Sequence, residues 1–307
     1  MTTDERAEEA GGEDLPGERE RFGAAPRKPA PGLHFLATPI GTARDITLRA
    51  LDTLRMADVL AAEDTRTLRH LMEIHGIALA GRPLVAYHDH NGEQARPKLL
   101  AALAEGKVVA YASEAGTPLV ADPGFQLGRA AIAAGYPVFA APGPSAVLAA
   151  LTVSGLPSDR FLFAGFAPNT QSARRKWLRE MADLPATVIL YESPKRIGAM
   201  LEDLATEFGA DRAAVLCREL TKRFEEVRRG TVAELIASLA AAPVKGEIVV
   251  LVDRPHGPRA GAEDIEAALK ERLDHMSVKD AAAEVAEALG LKRRDVYQRA
   301  LALARDG

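Results

Sequence analysis

From Leu33 onward, short apolar runs alternate with longer segments of helical period, and the runs tend to end in clusters of Gly, Pro and Thr. A strand buried on both faces reads as a continuous apolar run, so this alternation points to a mostly parallel sheet whose strands are joined by helical crossovers. The runs Leu33 to Ala37, Val59 to Ala62, Leu84 to Tyr87, Val108 to Ala112 and Val138 to Ala140 are the strand candidates. Between and after them, Thr47 to Met56, Arg66 to Ile74, Gly92 to Ala104, Phe125 to Ala134 and Ser145 to Val153 carry the helical pattern. Ligands of such sheets sit at the C-terminal strand ends.

The pattern changes at the turn-rich stretch Ser154-Gly-Leu-Pro-Ser-Asp159. Beyond it, Phe161 to Gly165, Val188 to Tyr191, Ala213 to Cys217, Phe224 to Arg229 and Glu247 to Val252 read as strands of a second, mixed sheet. Arg254-Pro-His-Gly-Pro258 then reads as a linker. The expected organisation is an acidic tail over 1–31, one α/β domain over 32–157, a second over 158–254 and a helical module over 260–307.

The chain of 307 residues is 47% hydrophobic and 27% charged, enough for cores of two globular domains. Its one cysteine, Cys217, excludes an intrachain disulfide framework and reads as a core thiol within an apolar run. No apolar stretch approaches the roughly 20 residues of a membrane span, and the N-terminus is acidic where a signal peptide would be basic, so a cytoplasmic protein is expected. The net charge of −4 at first opposes a nucleic-acid partner. Yet residues 1–31 hold eight acidic against five basic residues, so most of the deficit sits in a Gly/Pro/Glu-rich tail of disordered composition.

Three loops carry the chemistry. Ala37-Thr-Pro-Ile-Gly41 lies between a strand and a helix that Asp45 could cap; it is also compatible with an ordinary βα turn. Ala112-Ser-Glu-Ala-Gly-Thr-Pro118, followed by Ala121-Asp-Pro-Gly124, joins small residues to the polar groups of Ser113, Glu114 and Thr117. Small side chains let backbone approach a ligand closely, and a few polar groups orient it. Ala141-Pro-Gly-Pro-Ser-Ala146 again follows a strand, with Ser145 placed to cap the next helix. Three such strand ends describe one composite pocket.

These loops belong to an ordered series: LATPIGTARDITLRAL, AAEDTR, HDHN, EAGTPLVADPG, PGPSA, SGLPSDRF, GFAP, YESPKR and CRELTKRFEE. In this order, over about residues 32 to 253, they resemble the bacterial ribosomal RNA small subunit methyltransferase I family, the ribosomal branch of the tetrapyrrole methylases. The helical tail resembles that family's small helix-turn-helix-like C-terminal region. The resemblance implies the two-domain tetrapyrrole-methylase fold, a homodimer, and methyl transfer from S-adenosylmethionine to the 2′-oxygen of a cytidine in the decoding region of 16S ribosomal RNA. It further implies Pro39, Glu114, Ala115, Gly116, Thr117 and Ser145 as cofactor-pocket residues. In the second domain Tyr191-Glu-Ser-Pro-Lys-Arg196 follows a strand, and the ring of Tyr191 is a candidate contact for cofactor or ribose. Two positions depart from the family pattern. Glu114 stands where aspartate is usual, and Thr42 where asparagine is usual.

Ribose methylation gains from a group that takes the hydroxyl proton, for which Glu63, Asp64, His88 and Glu192 near strand ends are candidates; Asp64 reads better as the N-cap of the next helix. No metal is required by this chemistry, and the pair His88 and His90 lacks the further ligands of a metal site. For RNA contact the cations are Arg174, Arg175 and Lys176 with Arg179, Lys195 and Arg196, the group Arg218, Lys222, Arg223, Arg228 and Arg229, and Lys292-Arg-Arg294. Each group alone also fits a solvated face. The competing readings are a methyltransferase acting on a tetrapyrrole precursor and a non-catalytic RNA-binding assembly factor.

Overall fold

The computed structural model describes residues 28–88, 90–120, 124–255, 262–289, 291 and 293–306. The expected acidic tail up to residue 27, Asp89, residues 121–123, linker residues 256–261 and Lys292 lie outside the described residues. Two compact units emerge. One comprises the chain up to Ala149 together with Leu220–Arg223, and the other comprises Ala150–Glu219 and the chain from Phe224 onward.

The first unit contains strands β1 (Gly32–Leu36), β2 (Val59–Ala62), β3 (Leu84–Ala86), β4 (Val108–Ala112) and β5 (Val138–Ala141) in the order β3-β2-β4-β1-β5. All pairings are parallel. Helices α1 (Leu48–Met56) and α2 (Thr65–Ile74) cover one face, where Leu36, Leu60, Ala110, Leu54 and Met72 share a core. Helices α3 (Gly92–Ala104) and α4 (Phe125–Ala133) cover the other, where Phe35, Val109, Tyr111, Leu99 and Leu127 pack together. Burial on both faces is the reason strands β2 and β4 are continuously apolar, each large side chain contributing about 1.5–3 kcal/mol. The five strands expected for this unit agree with those observed to within a residue at each end, whereas the later strand expected over Phe224 to Arg229 is observed at Glu226–Thr231.

Local signals set the helix ends. Thr47, rather than the expected Asp45, caps α1: its side chain accepts from the Ala50 amide. The other end of α1 is satisfied by Arg82, whose guanidinium donates to the carbonyls of Leu54, Arg55 and Ala57 as well as Ala78 and Leu79. Carbonyls of a last helical turn have no partner within the helix, and one planar five-donor group serves three of them here.

Helix α5 (Ala146–Ser154) follows β5. In the second unit, β6 (Phe161–Phe166), β7 (Thr187–Glu192), β8 (Ala213–Arg218), β9 (Glu226–Thr231) and β10 (Ile248–Val252) form a mixed sheet of order β6-β7-β10-β8-β9. Only β6 and β7 pair in parallel. Helices α6 (Gln171–Arg179), α7 (Ile197–Phe208) and α8 (Val232–Ala241) contribute Leu178, Met200, Leu204 and Leu235 to one core with Leu190, Leu216 and Val250. Cys217 is fully buried, and burial pushes its thiol up to about 11, as expected of a core thiol. Helices α9 (Ala262–Leu273), α10 (Val278–Ala288) and α11 (Arg293–Asp306) close around Ile265, Leu269, Val285, Val296 and Ala300.

Candidate functional site at the strand ends

In the first unit, β1 and β4 are neighbours, yet the chain leaves β1 for α1 on one face and leaves β4 for α4 on the other. Connections that diverge from adjacent parallel strands open a crevice at their C-terminal ends, the place where such sheets bind ligands. The three expected loops follow β1, β4 and β5, which are consecutive in the sheet.

Hydrogen bonds sew these loops together. Thr38 and Gly116 form a two-way backbone bridge, each amide donating to the other's carbonyl at 3.0 Å. The buried Thr38 hydroxyl donates to the Ser113 carbonyl at 3.1 Å, and the Ser113 hydroxyl donates to the Gly116 carbonyl. Thr117 joins the third loop, donating from Oγ1 to the Pro144 carbonyl at 2.9 Å. Gly116 has φ +79°, and a Cβ there would stand 3.2 Å from Ile40 Cγ2. The glycine is therefore demanded first by backbone conformation. The sequence motifs located these loops, whereas the stitching roles of Thr38 and Ser113 emerge only from the fold.

Among the expected pocket residues, Glu114 and Ala115 are exposed, Pro39, Thr117 and Ser145 are half-buried, and Gly116 is buried. Glu63 is half-buried just beyond β2. Asp64 caps α2 by accepting from the Arg66 amide at 2.7 Å, and it also pairs with the Arg66 guanidinium. These contacts hold its carboxyl down at about 2. Asp64 therefore serves as the N-cap of α2, the alternative that the sequence also offered. His88 turns its amide to the Asn91 side chain, and His88 and His90 lie edge to face. Among the described residues no group of three or more His, Cys, Asp or Glu could hold a metal ion.

In the second unit, Tyr191 near the end of β7 packs edge to face against Phe163 and Phe166, with centroids 4.8 and 5.4 Å away. Glu192 beside it is buried; Oε1 accepts from the Ser193 amide and Oε2 lies 3.2 Å from Arg196 Nη2. That last contact is an ion pair without hydrogen-bond geometry. Glu192 is thus held at the end of β7 by the Ser193 amide and the Arg196 charge.

Several of the cations expected to contact RNA are engaged within the fold. Arg174 is buried and pairs with Asp203, Nε and Nη2 lying 2.7 and 2.6 Å from Oδ2. Arg175 and Arg179 share Glu207, and their guanidiniums hold its carboxyl below the usual range. Arg196 donates to the carbonyls of Ala167 and Pro168 and to the Asn169 side chain, pinning the β6–α6 loop. Arg218 serves Glu226 and the Lys245 carbonyl. Lys176 and Lys195 are exposed, and Lys222 and Arg223 lie in the first unit. Guanidiniums so engaged hold the fold together, since breaking such contacts leaves buried polar groups unmatched.

The sequence profile of the Tetrapyrrole (Corrin/Porphyrin) Methylases matches residues 32–236, and that of the RsmI C-terminal HTH domain matches residues 259–304. The chain is similar to the ribosomal RNA small subunit methyltransferase I of Mesorhizobium japonicum, with 47% identity over 89% of this chain and 92% of that protein. It is also similar to the protein of that name from Xylella fastidiosa, with 46% identity over 86% and 97%. Among solved structures, a cobalt precorrin-4 methyltransferase of cobalamin biosynthesis shares the fold, with a TM-score of 0.57 at 18% identity over 75% of this chain and 98% of that one.

Proposed function

Since the chain belongs to the ribosomal RNA small subunit methyltransferase I family of tetrapyrrole methylases, we propose that it moves a methyl group from S-adenosylmethionine to the 2′-oxygen of a cytidine in the decoding region of 16S ribosomal RNA, within the small subunit. The observation that carries this reading is the sewn set of three strand-end loops in a chain with such relatives.

The residues present fit that cofactor. Pro39, Ala115 and Gly116 keep bulk away from the backbone at the sheet edge, and the exposed Glu114 carboxylate would accept hydrogen bonds from ribose hydroxyls or an ammonium group. Thr117 and Ser145 would flank it. When bound, the cofactor supplies a sulfonium methyl open to attack. The protein's own task is to hold the ribose oxygen in line with that methyl, where positioning alone is worth several kcal/mol. Glu63, just beyond β2, is the carboxylate we assign to accept the hydroxyl proton. Lys176, Lys195, Lys222 and Arg223 would meet phosphates, and the helical module over 260–307 would add affinity for the subunit. We further read the assembly as a homodimer, supported by the exposed Phe125 and Ile132 of α4 and the exposed Phe139 of edge strand β5.

Tritium transfer from labelled S-adenosylmethionine should be measured in parallel on small subunits, naked 16S RNA and uroporphyrinogen, with nucleosides resolved after digestion. Label in 2′-O-methylcytidine from small subunits is the expected result. Label in uroporphyrinogen alone would replace the substrate, and label on a base would replace the chemistry.

A further inference from the structure

Residues Leu220–Arg223 follow β8 in sequence but belong to the first unit. The backbone here is unusual: Thr221 has φ 64° and Glu219, just before the segment, has φ 50°, the left-handed region that costs a residue with a Cβ about 1–2 kcal/mol. Such conformations persist where the surroundings impose them. Here Thr42 does so at Thr221. Its amide donates to Thr221 Oγ1 at 3.2 Å, and its hydroxyl donates to the Thr221 carbonyl.

Gly41 makes this contact possible. A Cβ at that position would stand 2.5 Å from Lys222 Cγ and 2.6 Å from Thr221 Oγ1, so the Lys222 stem lies directly on the loop after β1. That loop is itself tied to the next through the Thr38–Gly116 bridge. Lys222 and Arg223 thus have a fixed place relative to the strand ends. The strand ends of the same sheet also carry the carboxylates Glu63 and Glu114, and added cations beside them favour the approach of a polyanion.

We propose that Thr42 and Thr221 are positioning residues that hold Lys222 and Arg223 against the β1 loop, where the two cations grip RNA phosphates flanking the target ribose. The inference rests on the RNA-methylation reading above. Lys222 and Arg223 bind, and the threonine pair sets their place without touching the reacting atoms.

Thr42→Val and Thr221→Val remove the hydroxyls at nearly constant volume. Each should raise KM for small subunits about tenfold, one hydrogen bond's net worth to a charged ligand's site, with kcat within about twofold and S-adenosylmethionine affinity unchanged by calorimetry. Thr42→Ser and Thr221→Ser should restore KM. The double variant Lys222→Ala with Arg223→Ala should flatten the salt dependence of KM by about one slope unit per cation, and it decides the matter if a valine variant fails to fold. Unchanged KM in folded valine variants, no rescue by serine, or an unaltered salt slope each overturns the inference while leaving the reading standing. A wild-type chain that methylates no small subunit overturns both.

Discussion

Arg174 on α6 and Asp203 on α7 form a buried ion pair, Nη2 to Oδ2 2.6 Å, with side chains 6% and 2% exposed. The pair joins two helices over one core, and Gln171 adds a bond to the other Asp203 oxygen. Arg174→Ala should destabilise the protein by about 3–5 kcal/mol, because it leaves a buried carboxylate without its partner. Lys176→Glu, two residues on and exposed, should shift stability by less than about 0.5 kcal/mol. Urea unfolding of the two variants checks the contrast, and equal effects would contradict it.

Gly116→Ala places a Cβ in left-handed backbone 3.2 Å from Ile40. The expected loss of stability is about 1–2 kcal/mol. Cofactor affinity should fall as well, since the Thr38 bridge depends on the same backbone. Thermal melts and calorimetry on the same preparation separate the two effects, and a variant with wild-type values in both would remove Gly116 from the site.

The Cys217 thiol ionises at about 11 because burial disfavours the thiolate. A thiol-specific reagent at pH 8 should therefore leave the native protein unlabelled and react at once in denaturant. Since the folded value lies above the unfolded one, the thiol's contribution to stability is complete below about pH 9 and is lost as the pH rises towards 11. Rapid labelling of the native protein at pH 8 would show that the strand opens.

Helices α9 to α11 share an apolar cluster made of their own residues. Deleting residues 258–307 should leave S-adenosylmethionine affinity unchanged and raise KM for small subunits. The opposite pattern, lost cofactor affinity with unchanged KM, would give the module a structural role.

Much of the fold was legible because burial on both faces writes a strand as an unbroken apolar run, as in Val108 to Ala112. The strand-end loops were legible for a related reason, since Gly and Pro mark backbone that must turn sharply. The α1 cap was misread because Asp45 and Thr47 are both competent caps two residues apart, and only the helix start chooses between them. The cations were the least legible. Arg174 and Lys176 look alike in sequence, and what separates them is Asp203, 29 residues from Arg174. A signal existed in the spacing of Asp203 and Glu207, four apart and so on one face of α7, opposite a basic helix. Thr42 and Thr221, 179 residues apart, left no such trace.

Because Leu220–Arg223 packs with the first unit while the residues on either side belong to the second, no single cut divides this chain into two autonomous halves. A fragment ending at Ala149 would keep Gly41 but expose the surface on which Lys222 now rests, and it would sever α5 in mid-helix. During synthesis, the loop after β1 must therefore wait for some 180 more residues to leave the ribosome before its last hydrogen-bonding partner exists.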